Sequence, residues 1–394
     1  MTATAQNRGA ATHFYHLPSE QREHLFLHSP QPISTTWSNE RVAIALGATL
    51  YIPATRPDLA ASITRRHAAG VMSMVIDLED AVADDQAADA MSGTLAALNA
   101  LEGTPAGQML LFVRVRTADQ IQTVVEGTQS STVLKGFVIP KFGADDAQES
   151  LAAVARAETT LGRHLWVMPV LETPAIVHRE TRDLELARIS ERLNEFRSNV
   201  LAVRIGATDM CGLFGIRRDR DLTIYDVRVA ANAIASIVNI LGRSDSSGHI
   251  ISGPVWEYFA DHERRFVPTL RHTPFREHDA VLFRHQLVSR DLDGLLRETA
   301  LDRANGMHGK TVIHPAHVAP VHALSAVTHE EYHDAADILA VDLGGVRASS
   351  YRNKMNEAKP HRNWANRVMD RAAAFGVTNP GISFVDLLTA LDAA

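Results

Sequence analysis

The side chains best suited to chemistry stand at the ends of apolar runs. Glu79 and Asp80 close the run SMVIDLED, Glu172 closes LWVMPVLE, and Asp209 closes VLAVRIGATD. A carboxylate that a strand carries to buried depth is costly unless a cation or a hydrogen-bond donor compensates its charge. Two carboxylates on adjacent strands, together with waters and substrate oxygens, are a usual site for Mg²⁺. Glu172 and Asp209 are therefore predicted to bind a divalent metal ion.

Eight apolar or β-branched runs alternate with longer helix-like segments along the chain. The runs are LYIPAT, SMVIDLED, LLFVRVR, GFVIPKF, LWVMPVLE, VLAVRIGATD, HIISGPVWEY and TVIHP. Near-continuous apolar runs are typical of parallel strands buried on both faces. Eight βα units favour a closed (β/α)₈ TIM barrel, an α/β fold, over an open doubly wound sheet. No glycine-rich phosphate turn follows LYIPAT, which weakens the dinucleotide-binding alternative.

The carboxyl ends of barrel strands meet on one face, where such folds build active sites. Five further polar residues stand at strand ends, as the four acids do, so all nine side chains would lie on that face: Arg56, Arg114, Arg116, Lys141 and His314. Structural alternatives remain for single residues. Asp80 could be the N-cap of the next helix, and Lys141 could be a surface lysine.

Two regions lie outside the repeat of strands and helices. Residues 1–45 are predicted to form an N-terminal extension, residues 46–327 the barrel, and residues 328–394 a helical C-terminal lid. A basic insert occupies residues 259–290, after the seventh strand. Phosphate-binding loops are common at that rim of a barrel, so the insert is predicted to bind an anionic part of the ligand. A solvated loop or a subunit contact is the alternative.

Composition limits the possible partners. The 394 residues carry a formal charge of -7 and one cysteine, Cys211. The negative charge gives no reason to expect nucleic acid or an anionic membrane as a partner, and a single cysteine excludes an internal disulfide framework. The N-terminus lacks an apolar signal region, and eighteen apolar residues never run together. We therefore expect a soluble protein of the reducing cytoplasm.

Three hydrolytic classes fit these features less well. A glycosidase would need aromatic side chains to stack sugars, and the chain has four tryptophans and six tyrosines. A Ser-His-Asp hydrolase would need a G-x-S-x-G elbow, which does not occur. A zinc hydrolase would favour histidine ligands at helical spacing, and the one H-E-x-x-H pattern, HEEYH at residues 329–333, lies in the C-terminal region and not among the acids at the strand ends.

Taken in their order along the chain, the motifs at the strand ends resemble those of the citrate lyase beta-chain-like, or HpcH/HpaI aldolase, superfamily of TIM-barrel carbon–carbon lyases. YIPATRPD is similar to the first strand of that family, VIDLEDAV to its most specific signature, and VIPK to its Pro-Lys strand. VLETP and RIGATDM resemble the elements that supply the metal ligands, and GMHGKTVIHPAHV resembles the last strand. Ala54, Arg116 and His317 depart from the pattern. The long tail resembles a divergent subgroup that is sometimes encoded beside tellurium-resistance genes.

The resemblance implies a Mg²⁺-dependent lyase or aldolase that acts on a β-hydroxy acyl compound, for which a CoA thioester is one candidate, through a metal-stabilised enolate. Glu172 and Asp209 would hold Mg²⁺. Arg114 would contact the carbonyl or carboxylate oxygens, and Asp80 would act beside it in catalysis. The implied substrate-binding residues are Arg56, Glu79 and Lys141.

A segment near the C-terminus completes the implied site. In the family a Gly-Lys-Met-x-Asp segment reaches a neighbouring subunit and supplies a carboxylate as general acid or base. Here NKMNE ends at Glu357, with glutamate in place of aspartate. The resemblance therefore implies a homo-oligomer, a trimer or a hexamer, with shared active sites. An exposed helix residue is the alternative for Glu357.

Two other functions remain open. Hydrolysis of a thioester would use the same metal site, because water attacking the acyl carbon needs the same positive charge. A metal- or nucleotide-binding component of a stress-response assembly would keep the barrel without turnover.

Overall fold

A computed structural model of the chain describes residues 11–128, 131–259, 290–340 and 346–392. Most of the predicted insert at 259–290 lies outside these residues. The described strands are β1 (Phe26–His28), β2 (Ala48–Pro53), β3 (Ser73–Asp77), β4 (Leu110–Arg114), β5 (Leu134–Ile139), β6 (Trp166–Leu171), β7 (Val203–Ile205), β8 (Ile251–Ser252), β9 (Lys310–Val312), β10 (Val346–Ala348), β11 (Met355–Glu357) and β12 (Val377–Thr378).

Helices follow most of the strands, as βα units require. The described helices are α1 (Ser19–Leu25), α2 (Asn39–Ala45), α3 (Leu59–Ala68), α4 (Ala87–Ala100), α5 (Ala118–Gly127), α6 (Ala144–Leu161), α7 (Pro174–Val177), α8 (Arg182–Glu195), α9 (Ala207–Gly212), α10 (Arg228–Leu241), α11 (Arg290–Ala304), α12 (Val318–Ser325), α13 (His329–Leu339), α14 (Ala358–Phe375) and α15 (Phe384–Asp392). None of these described helices is both long enough and apolar enough to cross a membrane.

Eight parallel strands form the barrel, in the order β8-β7-β6-β5-β4-β3-β2-β9. A parallel bridge between Gly253 and Lys310 joins the two ends of this sheet. Each of the eight predicted runs overlaps one of these strands, so the predicted TIM barrel is confirmed. The site residues at the strand ends consequently lie on one face.

Side chains alternate between the two faces of each strand. Val75 of β3 and Phe112 of β4 belong to one buried cluster, whereas their neighbours Ile76 and Val113 belong to another. Because successive side chains of a strand point to opposite faces, the first pair lies inside the barrel and the second packs against the outer helices. Both faces are buried, which explains why the runs are almost continuously apolar.

The two terminal regions pack against each other and against the barrel. β1 pairs antiparallel with β12, and the Phe14 side chain packs in one cluster with Phe26 and Phe375. Helix α14 packs against α2 and α13. Since α2 precedes the first barrel strand, these C-terminal helices lie near the amino ends of the strands. A lid over the carboxyl ends would have to come from another copy, and it stays a prediction.

A buried network of charges connects α11 to the last barrel strand. The Lys310 ammonium lies 3.0 Å from Glu298 and 2.7 Å from Asp302. Arg218 pairs with Glu298, and the Tyr225 hydroxyl donates a hydrogen bond of 2.7 Å to Asp302. The four charged side chains are at most 3% exposed. Their charges balance, which keeps the network compatible with burial.

Candidate active site

Arg114 is the centre of a carboxylate cluster at the carboxyl ends of β3 and β4. The register pairs Arg114 with Asp77, and the guanidinium holds both Asp77 oxygens, at 2.7 and 2.6 Å. Its Nη1 also lies 3.0 Å from Glu79 and 3.2 Å from Asp80. Burial lowers the pKa of Arg114, but the hydrogen bonds and charge of Asp77 outweigh that effect and raise it. Arg114 is thus a permanent cation shared by three acids.

Asp77 was not among the residues predicted for the site. It ends the same apolar strand as the predicted acids, and its position in SMVIDLED is the signal that could have identified it. Besides binding Arg114, its Oδ1 accepts a hydrogen bond of 3.0 Å from the Glu79 backbone N–H. Asp77 therefore fixes both the guanidinium and the turn that presents Glu79.

Lys141 links this cluster to Glu172. Its ammonium contacts Glu79 and lies 3.5 Å from Asp80, and its backbone N–H donates to Glu172 Oε1 at 2.9 Å. Lys141 has a φ of 48°, a left-handed backbone conformation that a residue with a side chain adopts at an energetic cost. Strain of this kind persists where the surroundings enforce it, often at functional sites.

Glu172 and Asp209 form the second part of the site. Glu172 follows β6 and is 4% exposed, whereas Asp209 lies in the first turn of α9 and is partly exposed. Burial, together with the negative charge of Asp209, raises the pKa of Glu172 to about 7 against the opposing hydrogen bond from the Lys141 N–H. Within the described parts of the chain, the Asp209 carboxylate makes neither a hydrogen bond nor an ion pair.

These features fit a hard divalent cation. A buried carboxylate whose pKa is raised, beside a second carboxylate that lacks donors, is an arrangement that a cation would relieve. Three or more His, Cys, Asp or Glu side chains grouped as ligands are not found among the described residues. Mg²⁺ needs no such cage, since it commonly uses one or two carboxylates and completes its octahedron with waters and substrate oxygens.

Gly206 makes room for the Glu172 carboxylate. A Cβ at position 206 would lie 1.7 Å from Glu172 Oε2, far inside van der Waals contact. We expect Gly206→Ala to displace this carboxylate and to weaken Mn²⁺ binding by at least about tenfold, as loss of a ligand-positioning neighbour typically does. Isothermal titration calorimetry would measure the affinity.

Gly212→Ala is the matched control, because a Cβ at position 212 meets nothing within 4 Å. It should bind Mn²⁺ like the unmodified protein. Equal affinities in the two alanine variants would contradict the role assigned to Gly206.

Tyr51 is a site residue that the sequence reasoning missed. Its ring lies 5.3 Å from the Arg114 guanidinium carbon and 5.5 Å from that of Arg204, which is 1% exposed. Burial raises the pKa of Tyr51, so the phenol stays protonated at neutral pH. The two-residue alternation of LYIPAT, which places Tyr51 on the same face as Pro53, could have revealed it.

Two predicted residues lie apart from this cluster. Arg56 is exposed in the turn after β2 and lies 3.5 Å from Asp58. Glu357 ends β11, and its backbone N–H donates to the His361 ring. Neither side chain contacts Arg114, Glu172 or Asp209 in the described part of the chain. Their assigned roles stay predictions.

Two of the residues that depart from the family pattern are structural here. The Arg116 guanidinium pairs with Asp84 at 2.6 Å and donates to the Leu78 carbonyl, so it holds the turn after β3. His317 is 4% exposed, and burial lowers its pKa to about 4. The His314 ring also makes a structural contact, because it accepts a hydrogen bond of 3.3 Å from the Ala316 N–H.

Comparison with known proteins adds a family and related folds. The sequence profile of a family described as C–C bond lyases of the TIM-barrel fold matches residues 40–377. A citrate lyase from Burkholderia xenovorans is 18% identical, with a TM-score of 0.59 over 88% of this chain and 96% of its own. Protein CitE of Mycobacterium tuberculosis, solved with magnesium, acetoacetate and coenzyme A, is 20% identical, with a TM-score of 0.51 over 84% and 99%. At these identities the likeness concerns the fold. No curated protein matches the chain.

Proposed function

Because the chain belongs to the family of carbon–carbon bond lyases of the TIM-barrel fold, we propose that it cleaves or forms a carbon–carbon bond in a β-hydroxy acyl compound with Mg²⁺ bound by Glu172 and Asp209. The observation that carries this proposal is the pair itself. One of its carboxylates is buried with a pKa raised to about 7, and the other lacks donors among the described residues. The magnesium in the CitE structure supports the choice of metal.

Breaking a bond next to a carbonyl group places negative charge on the carbonyl oxygen. Mg²⁺ would supply positive charge at that oxygen when bound. Arg114 adds a second, permanent cation on the same face of the barrel. Since Asp77 holds this guanidinium through two short hydrogen bonds, it is oriented before the substrate arrives.

Asp80 and Lys141 are the side chains of the site that a substrate could most easily displace. Both side chains are about half exposed, and their contacts at 3.2 and 3.5 Å are the longest in the cluster. Such contacts are weak, so a carboxylate or carbonyl oxygen of the substrate could replace Asp80 on Arg114 and Lys141 at little cost. A displaced Asp80 would then be free to exchange a proton with the substrate.

Glu357 is proposed as the general acid or base of a neighbouring copy. It lies on the β10–β11 hairpin and directly precedes α14, which packs near the amino ends of the strands of its own barrel. Its carboxylate would therefore serve a second chain in a homo-oligomer. The acyl carrier of the substrate is proposed to be coenzyme A, in line with the ligands of the CitE structure.

Product analysis tests this function. The protein with Mg²⁺ would be incubated with a panel of β-hydroxyacyl-CoA thioesters and β-hydroxy acids, with Asp209→Asn as the control. We expect an aldehyde or a keto acid that forms only with Mg²⁺ and only with an intact Asp209. Release of free acid and thiol alone would indicate thioester hydrolysis instead. Absence of any product across the panel, together with no ligand binding, would contradict an enzymatic role.

A further inference from the structure

Two histidines of α13 face each other, apart from the proposed Mg²⁺ site. His329 and His333 are four residues apart, so about one turn of the helix places both side chains on the same face. Their Nε2 atoms lie 3.2 Å apart, and the rings are tilted by 49° with their centroids 4.3 Å apart. Because α13 packs against α14 near the amino ends of the strands, this pair is separate from Glu172 and Asp209.

The spacing of the two nitrogens fits a shared metal ion. Two nitrogens bound to tetrahedral Zn²⁺ at about 2.0–2.1 Å lie about 3.3 Å from each other. The distance of 3.2 Å between the two Nε2 atoms is close to this value. Without a metal ion, one ring donates its N–H to the other. A metal ion would replace that proton, and a small rotation of each ring would direct both lone pairs at it.

Tyr351 orients the first of these rings. Its hydroxyl lies 2.6 Å from His329 Nδ1. When Nδ1 carries the proton and donates it to this oxygen, Nε2 keeps a lone pair on the side that faces His333. Metal-binding histidines usually have such an outer partner, which fixes the tautomer and the orientation of the ring. The Tyr351 contact supports a metal site independently of the spacing along the helix.

Both imidazoles are available to an ion from solvent. Their side chains are partly exposed, and neither ring is hydrogen-bonded or ion-paired to a charged side chain in the described part of the chain. Burial and the neighbouring His333 lower the pKa of His329, so its ring is mostly neutral at pH 7. The neutral imidazole is the form that binds metals.

The acidic side chains of α13 already have partners. These are Asn353 and Lys354 for Glu330, Arg371 for Glu331, Asn356 for Asp334 and Ser350 for Asp337. A third ligand from these carboxylates would break one of these contacts, so water is the expected source of the remaining ligands. The engaged Glu330 also separates this pair from zinc peptidases with the same H-E-x-x-H spacing, in which the glutamate is the general base.

We propose that His329 and His333 bind a divalent transition metal ion such as Zn²⁺, in addition to the Mg²⁺ proposed for the active site. Imidazole nitrogen suits Zn²⁺, Ni²⁺ and Cu²⁺, whereas Mg²⁺ prefers oxygen ligands. Tyr351 lies between β10 and β11. The bound ion, through the His329 ring, therefore connects α13 to the hairpin that carries Glu357.

Calorimetry with Zn²⁺ on the full chain, at saturating Mg²⁺, tests the site. We expect His329→Gln and His333→Gln each to weaken Zn²⁺ binding by at least about tenfold, since loss of even an outer partner typically costs about 10- to 100-fold. Tyr351→Phe should also weaken binding, because it removes the hydroxyl that fixes the tautomer. His24→Gln is the matched control, because it removes an exposed histidine from α1 and should bind Zn²⁺ like the unmodified protein.

Asp209→Asn separates the two metal sites. The variant loses a proposed Mg²⁺ ligand and keeps both histidines, so its affinity for Zn²⁺ should be unchanged. Unchanged Zn²⁺ affinity in both His329→Gln and His333→Gln would overturn the proposal. Loss of Zn²⁺ binding in Asp209→Asn, with retention in both histidine variants, would place the ion in the active site and refute this one.

Discussion

Replacing Glu172 by glutamine, or Asp209 by asparagine, is expected to abolish Mg²⁺ binding while the barrel stays folded. Each substitution removes the charge of one proposed ligand and changes its volume very little. For Glu172→Gln the free energy of unfolding should not fall. Burial of the charged Glu172 carboxylate is unfavourable, as its raised pKa shows, and a neutral glutamine avoids this cost. Calorimetry with Mg²⁺ or Mn²⁺ would measure the affinity, and circular dichroism would confirm the fold.

The same pKa predicts how the affinity depends on pH. A metal ligand must lose its proton, so metal binding competes with protonation of Glu172 at and below its pKa of about 7. The affinity of the unmodified protein should fall about fivefold between pH 7 and pH 6 and level off above pH 8. Asp84→Asn is a control for the loss of one negative charge on the same face of the barrel, because Asp84 pairs with Arg116 and not with the proposed metal ligands. This variant should bind the metal ion like the unmodified protein.

Unchanged metal affinity in both Glu172→Gln and Asp209→Asn would contradict the assignment of these two residues as metal ligands.

Replacing Glu357 by glutamine is expected to lower turnover by about 10² to 10⁴, the usual contribution of a positioned general acid or base. The variant should fold, assemble and bind Mg²⁺ normally, since Glu357 contacts none of the metal-site residues in the described chain. Steady-state kinetics on a substrate found by the product analysis would measure the loss. Full activity in Glu357→Gln would refute the catalytic role.

Mixing two inactive variants tests whether the site is shared between copies. Glu357→Gln keeps the metal site, and Asp209→Asn keeps Glu357. In a mixed oligomer, some sites would combine an intact metal pair from one chain with an intact Glu357 from another. Partial recovery of activity is therefore expected. An inactive mixture would count against sharing between subunits but not against the role of Glu357.

The barrel could be predicted from sequence because its signal is local. Each strand is a short apolar run, and a strand such as β3 is buried on both faces, which leaves five consecutive buried residues in SMVID. The positions of Glu172 and Asp209 followed from the same runs, because a parallel barrel brings all carboxyl ends to one face. What the sequence showed was therefore the layout of the site.

The partners within the site could not be predicted in the same way. Arg114 binds Asp77 because the register of β3 and β4 places these two residues side by side, and a register depends on the whole barrel. The left-handed backbone of Lys141 likewise has no local signal, since lysine rarely adopts it. The buried network around Lys310 joins residues from α11 and β9, and charged residues give no sign in sequence that they are buried.

The C-terminal region shows a further limit of prediction from the sequence. The segment resembling a catalytic lid was visible in the sequence, but the packing of α14 against α2 depends on contacts between the two ends of the chain. Within one chain, Glu357 stays apart from Arg114. Its proposed role therefore depends on an assembly that a single chain does not contain.

The most direct test of the account is the position of a metal ion in crystals grown with Mn²⁺, found from its anomalous scattering. We predict one Mn²⁺ within coordination distance of both Glu172 and Asp209, with its remaining ligands supplied by water or substrate oxygens. Carboxylate oxygens suit Mn²⁺ as well as Mg²⁺, so the substitution should not move the site. A Mn²⁺ ion bound elsewhere on the barrel, or no anomalous peak between these two carboxylates at saturating Mn²⁺, would contradict the assignment of Glu172 and Asp209 as the metal ligands.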